Sequence, residues 1–114
     1  MSTQGWVGVD LDGTLAHYDG WQGIEHIGEP VPLMLARVKE WLSRNIDVRI
    51  FTARVSSSNK DGRDLDTTKK VIEDWCVKHI GRVLPVTATK DFGLVALYDD
   101  RAFHVIPNTG IIVS

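Results

Sequence analysis

Cysteine is nearly missing from this chain: Cys76 is the single one among 114 residues, which excludes an intramolecular disulfide and fits a reducing compartment. No apolar run approaches the roughly 20 residues that a membrane span needs. The amino terminus also lacks the charged start and apolar core of a secretory leader, so the expectation is a cytoplasmic protein with no membrane partner. Charge of one sign is absent as well. Thirteen basic and 15 acidic residues leave a formal net charge of −2, which argues against a polyanion-binding surface spread over the whole molecule and leaves room for a local basic patch. There is no repeat, linker or low-complexity tract. One domain of 1–114 is expected, long enough for a real core and too short for two.

What is present begins with Val7-Gly8-Val9-Asp10-Leu11-Asp12-Gly13-Thr14-Leu15. An apolar, β-prone run, read as a strand over 6–10, delivers two carboxylates onto a Gly-Thr turn. Alternation along an extended backbone would put Asp10 and Asp12 on one side. At about 4 Å and an effective dielectric near 20 their repulsion is of order 4 kcal/mol, so the pair asks for a metal or a proton.

Residues 16–32 carry glycines, prolines, His17, Tyr18, Trp21 and His26 without helical periodicity, and read as a flap that stacks on substrate or packs on the sheet rim. Leu35, Val38 and Leu42 recur at helical spacing within 33–43, and 47–52 reads as a second strand, parallel to the first by the crossover rule. A polar loop over 56–63 precedes a helix from about 66 to 79 with Val71, Ile72, Trp75, Cys76 and His79 inward. Cys76 is read there as a packing residue, while Trp21 and Trp41 fit either core or an interface, so the oligomeric state stays open. Short strands follow at 84–87 and 94–98, then a hairpin of 105–106 and 111–113 about Asn108-Thr109-Gly110. The fold class is α/β, a small doubly wound, Rossmann-like parallel sheet flanked by helices.

Ligands of such sheets bind beyond the carboxyl ends of the strands. Those ends carry Asp10 and Asp12, then Thr52, then Lys90, then Asp99 with Asp100. A carboxylate nucleophile, a second acid, a hydroxyl, a cation and an acidic pair for a hard metal are the parts of phosphoryl transfer.

In that order these pieces resemble the motifs of the haloacid dehalogenase superfamily of Mg²⁺-dependent phosphohydrolases: Asp10-Leu11-Asp12-Gly13-Thr14-Leu15 the first, Ile50-Phe51-Thr52 the second, Lys90 the third with Lys78 as its competitor, and Leu97-Tyr98-Asp99-Asp100 the fourth. The resemblance covers residues 6 to about 106. It implies Asp10 as nucleophile, Asp12 as general acid/base that also lends its backbone carbonyl to Mg²⁺, and Asp99 and Asp100 completing the metal shell. Thr52 and Lys90, with Ala53 and Arg54 beside them, would hold the substrate phosphate. An acid at position 12 implies a phosphatase or phosphotransferase.

Neither interval between motifs holds a cap domain, so the likeness is to a small capless member of phage or bacterial type, whose open site fits a macromolecular or nucleotide phosphate, or a small substrate enclosed by an oligomer neighbour. The Asp99-Asp100-Arg101 step is similar to the polynucleotide phosphatase branch, which makes a nucleic-acid 3′-phosphate or a nucleotide the alternative substrate. Arg54, Lys60, Arg63, Lys69 and Lys70 could line a phosphate track, although Asp61, Asp64 and Asp66 interleave with them. The alternative of another class is a non-catalytic protein that binds phosphate or Mg²⁺. A receiver-type signalling module would need its acid pair first and its lysine last, the reverse of the order here.

Overall fold

Val7, Val9, Val48, Ile50 and Val86 recur at every second position of three apolar runs, and in the computed structural model, which describes residues 5–56 and 65–113, they form one face of a sheet. The strands are β1 (Trp6–Asp10), β2 (Asp47–Phe51), β3 (Val86–Thr87) and β4 (Leu94–Tyr98), all parallel in the order β3-β2-β1-β4. The chain leaves β1 in one direction to β2 and β3 and then returns to its other side as β4. That reversal puts the switch crevice between the carboxyl ends of β1 and β4.

Helix α1 (Pro32–Ser43) joins β1 to β2 and helix α2 (Leu65–His79) joins β2 to β3. Pro32 opens α1, where its missing N–H costs nothing, and Arg44 and Asn45 close it, Asn45 in the left-handed region at φ 61°. Met34 and Val38 of α1 and Ile72, Trp75 and Cys76 of α2 enter the same core as the five sheet residues, so both helices cover one face. Thr68 is also buried, while Val71, expected on the inner face, lies half-buried. Burial pushes the Cys76 thiol up to about 11.

The opposite face is covered by its own side chains. Trp6, only 2% exposed, lies across Gly8, where an added Cβ would stand 3.1 Å from the indole and 3.2 Å from Leu97. Arg49 sits 4.8 Å over the Trp6 ring, Phe51 stacks beside it at 6.4 Å, and the indole N–H donates to Asp91 at 2.8 Å.

Strand β3 is two residues long, shorter than the 84–87 expected, because Pro85 lacks the N–H to extend the ladder; its carbonyl still accepts from Ile50 N–H. The carboxyl-terminal hairpin pairs β5 (His104–Val105) with β6 (Ile112–Val113), displaced by about one residue from the expected strands. Most of the expected 56–63 loop, including Lys60 and Arg63, lies outside the described residues. Among the described residues no helix is long and apolar enough to cross a membrane.

Candidate active site

Leu11 and Leu15 are completely buried, and they anchor the turn that follows β1. Within it the N–H groups of Thr14, Leu15 and Ala16 all fold back to the Leu11 carbonyl. Strand alternation therefore stops at Asp10. The two carboxylates do not lie side by side as extended spacing would put them: Asp10 faces β4 and Asp12 faces the turn after β2.

Asp10 meets Asp99 and Asp100 across the switch crevice, with one carboxylate oxygen from each lying within 4.8 Å of the others. Thr14 ties this group together. Its hydroxyl lies 3.2 Å from Asp10 Oδ2 and 3.2 Å from Asp100 Oδ1, and accepts the Asp100 N–H at 3.0 Å. One hydroxyl proton serves one of those oxygens at a time, and among the described residues no ion pair neutralises the three acids. Partial burial, contact with the Asp100 carboxyl and the charge of Asp99 push Asp10 up to about 7, against the smaller downward pull of Thr14. Gly13 is required at this point. Its φ is +91°, and an added Cβ would stand 2.6 Å from Asp100 Oδ2.

Asp12 belongs to a second arrangement. Arg54 grips its carboxylate with Nε to Oδ2 at 2.7 Å and Nη2 to Oδ1 at 2.8 Å, while the same guanidinium donates to the carbonyls of Ile24 at 3.3 Å and His26 at 2.9 Å. The Trp21 ring lies 4.8 Å from its centre. Arg54, expected beside the substrate phosphate, is only 6% exposed and in this structure spends its donors on the acid and the flap. The expected role of Asp12 at a metal runs through its main-chain carbonyl and is independent of this pairing.

Thr52 is buried and caps the short turn Ala53–Val55, its hydroxyl accepting the Arg54 N–H at 3.2 Å, which leaves the hydroxyl proton to donate elsewhere. Ala53 is exposed in that turn. Lys90 lies exposed on the loop after β3, one residue before Asp91, whose carboxylate accepts the Trp6 indole N–H where β1 begins, and among the described residues it has no ion pair. Lys78 is exposed in the last turn of α2, remote in the sequence of elements from the carboxyl ends. Of the expected phosphate track, Lys70 is paired with Asp74. His17 and His26 are exposed, and the flap is fixed through its backbone: His17 N–H to Glu29, Val31 N–H to Leu15, and the Trp75 indole N–H to Gly28.

Thr14 and the pairing of Arg54 with Asp12 are the functional features that sequence reasoning missed. Thr14 stood inside the quoted motif; nothing in sequence marks a contact between residues 12 and 54. Beside the acids opens a cleft of about 330 Å³, with Val31, Met34 and Tyr98 on its apolar wall and Arg37 at its side.

No protein-family model matches the chain, and no curated protein matches it. Among solved structures, a conserved protein from Bacteroides thetaiotaomicron superposes with a TM-score of 0.55 at 18% identity, over 88% of this chain and 78% of that one. At that identity the likeness establishes a shared fold.

Proposed function

We propose that the protein is a Mg²⁺-dependent phosphomonoesterase acting through a phospho-Asp10 intermediate. The observation that carries this reading is the division of four carboxylates: three converge on the switch crevice, with no ion pair among the described residues, and the fourth is held apart by an arginine. The donor set fits a hard divalent cation, since the three acids offer oxygen ligands alone and contact with Asp100 and the charge of Asp99 add to burial in raising Asp10. Asp10, Asp99 and Asp100 would hold it, and when bound it supplies charge neutralisation for the nucleophile and the substrate phosphate.

The chain's own residues then have separate tasks. Asp10 attacks phosphorus through a carboxylate oxygen, and the bond from phosphorus to the leaving oxygen breaks as Asp12 delivers a proton to it. Asp12 next takes a proton from water, whose oxygen displaces the phosphoryl group from Asp10. Arg54 keeps Asp12 oriented through both halves. Thr52 and Lys90 are the donors for the phosphoryl oxygens as charge spreads over them. An open carboxyl end, without a cap among the described residues, favours a substrate whose bulk stays outside the protein, with nucleotides and 3′-phosphorylated oligonucleotides as the alternative class to small esters.

Hydrolysis of an aryl phosphate tests the reading. Wild type with Mg²⁺ should turn over, and Asp10→Asn should lose activity by about 10³-fold or more. Equal rates in the two proteins sink the mechanism; absence of turnover on any ester of a panel containing metabolites, nucleotides and 3′-phosphorylated oligonucleotides returns the chain to a non-catalytic binding role.

A further inference from the structure

Arg54 is one cation that serves two parts of the molecule. Its Nε and Nη2 hold the Asp12 carboxylate, while Nη2 and Nη1 also donate to the carbonyls of His26 and Ile24 in the flap, with the Trp21 ring 4.8 Å from the guanidinium centre. The flap has little of its own to shape it. Among the described residues from 18 to 28, its backbone makes one hydrogen bond to itself, His26 N–H to the Gly23 carbonyl at 3.3 Å. Its carbonyls are therefore held in place from outside, on Arg54 at one point and on the Trp75 indole at another.

The same guanidinium has a competing partner in the reaction. Arg54 leaves the turn that Thr52 caps, and Thr52 is the hydroxyl donor for the substrate phosphate, so a bound phosphate lies within reach of the arginine. Phosphate takes an arginine fork as readily as a carboxylate does. A guanidinium that turned to it would leave Asp12, whose side chain is only 20% exposed, without its partner and without a fixed orientation. That turn is opposed by the two flap carbonyls and the Trp21 ring, each of which the cation would have to give up.

We propose that the flap is a positioning device for proton transfer, a role that rests on Asp12 being the acid and base of a phosphatase: Trp21 and the carbonyls of Ile24 and His26 keep Arg54 on Asp12 and off the substrate phosphate. Trp21 is thereby a positioning residue that acts through Arg54 and does not touch the reacting atoms. The coupling is reciprocal, so whatever loosens the flap loosens Asp12, and whatever weakens the grip on Asp12 loosens the flap.

Hydrogen exchange of the full chain reads the coupling without turnover. Asp12→Asn, which removes the charge that Arg54 grips, should speed exchange over 17–31 roughly fivefold while α2 keeps its wild-type rates. A flap indifferent to this substitution overturns the proposal. Kinetics reads the consequence. Trp21→Leu should lower kcat/KM about tenfold on an alkyl phosphate, whose leaving oxygen needs a proton, and several-fold less on 4-nitrophenyl phosphate, whose leaving group departs as the anion. Inorganic phosphate should inhibit the variant more tightly than wild type, because the released guanidinium joins its ligands. Trp21→Phe, which keeps an aromatic face for the cation, should restore most of both properties. Equal losses on the two esters, or weaker phosphate binding in Trp21→Leu, would sink the positioning role. A wild type that turns over neither ester counts against the phosphatase reading instead, and the exchange experiment still decides whether acid and flap are coupled.

Discussion

Asp10 is a carboxyl group whose surroundings work against its charge, and this gives the folded chain a proton-linked signature. Its affinity for a proton is raised from 3.8 to about 7 on folding, first by burial and then by Asp100 and Asp99. Between those two values the folded chain keeps a proton that the unfolded chain has released, so the stability of metal-free protein falls as pH rises across that window and levels off above it. Asp10→Asn should remove this component. Thermal melts of both proteins from pH 5 to 8 with a chelator present should show the wild-type curve descending relative to the variant, and Mg²⁺ should restore wild type most at the alkaline end, where it replaces the missing proton. Parallel curves for the two proteins would refute the linkage. The residue types and order of this site were legible because strand ends follow from local pattern. How they divide was not: the turn at Leu11–Leu15 breaks the alternation that would have set Asp10 beside Asp12, and Arg54 reaches Asp12 across 42 positions.

At the scale of elements, periodicity located β1, α1, β2, α2 and β4 to within a residue or so, since each has a buried stripe with the right repeat. Periodicity was silent on strand order, and on both helices sharing one face while Trp6 and Arg49 cover the other; those depend on long-range pairing. The flap illustrates the same limit. Its aromatic and histidine side chains drew attention, yet its backbone carbonyls hold it, through Arg54 on one side and the Trp75 indole on the other. Trp75→Phe keeps the ring and deletes the N–H that reaches Gly28 at 3.0 Å. The loss should be about 1 kcal/mol in chemical denaturation, together with faster proteolysis within 16–32 than elsewhere in the chain. Uniform acceleration along the chain would mean that the indole bond serves the core rather than the flap.

For the molecule as a whole, one small core carries the sheet and both helices, and Cys76 lies inside it with no exposed surface. Being the lone thiol, it turns the protein into its own opening reporter. With its pKa raised from 9.0 to about 11, the folded thiol stays protonated and unreactive well above neutrality, and only molecules whose core has opened expose a nucleophile. A colour-forming disulfide reagent should therefore label native protein at a rate set by the opening equilibrium, and the logarithm of that rate should rise linearly with urea until it meets the global unfolding curve. Labelling as fast as that of a free thiol would contradict the burial. The free energy of opening this core can thus be read with a spectrophotometer and no introduced label, at equilibrium, in any of the variants named above.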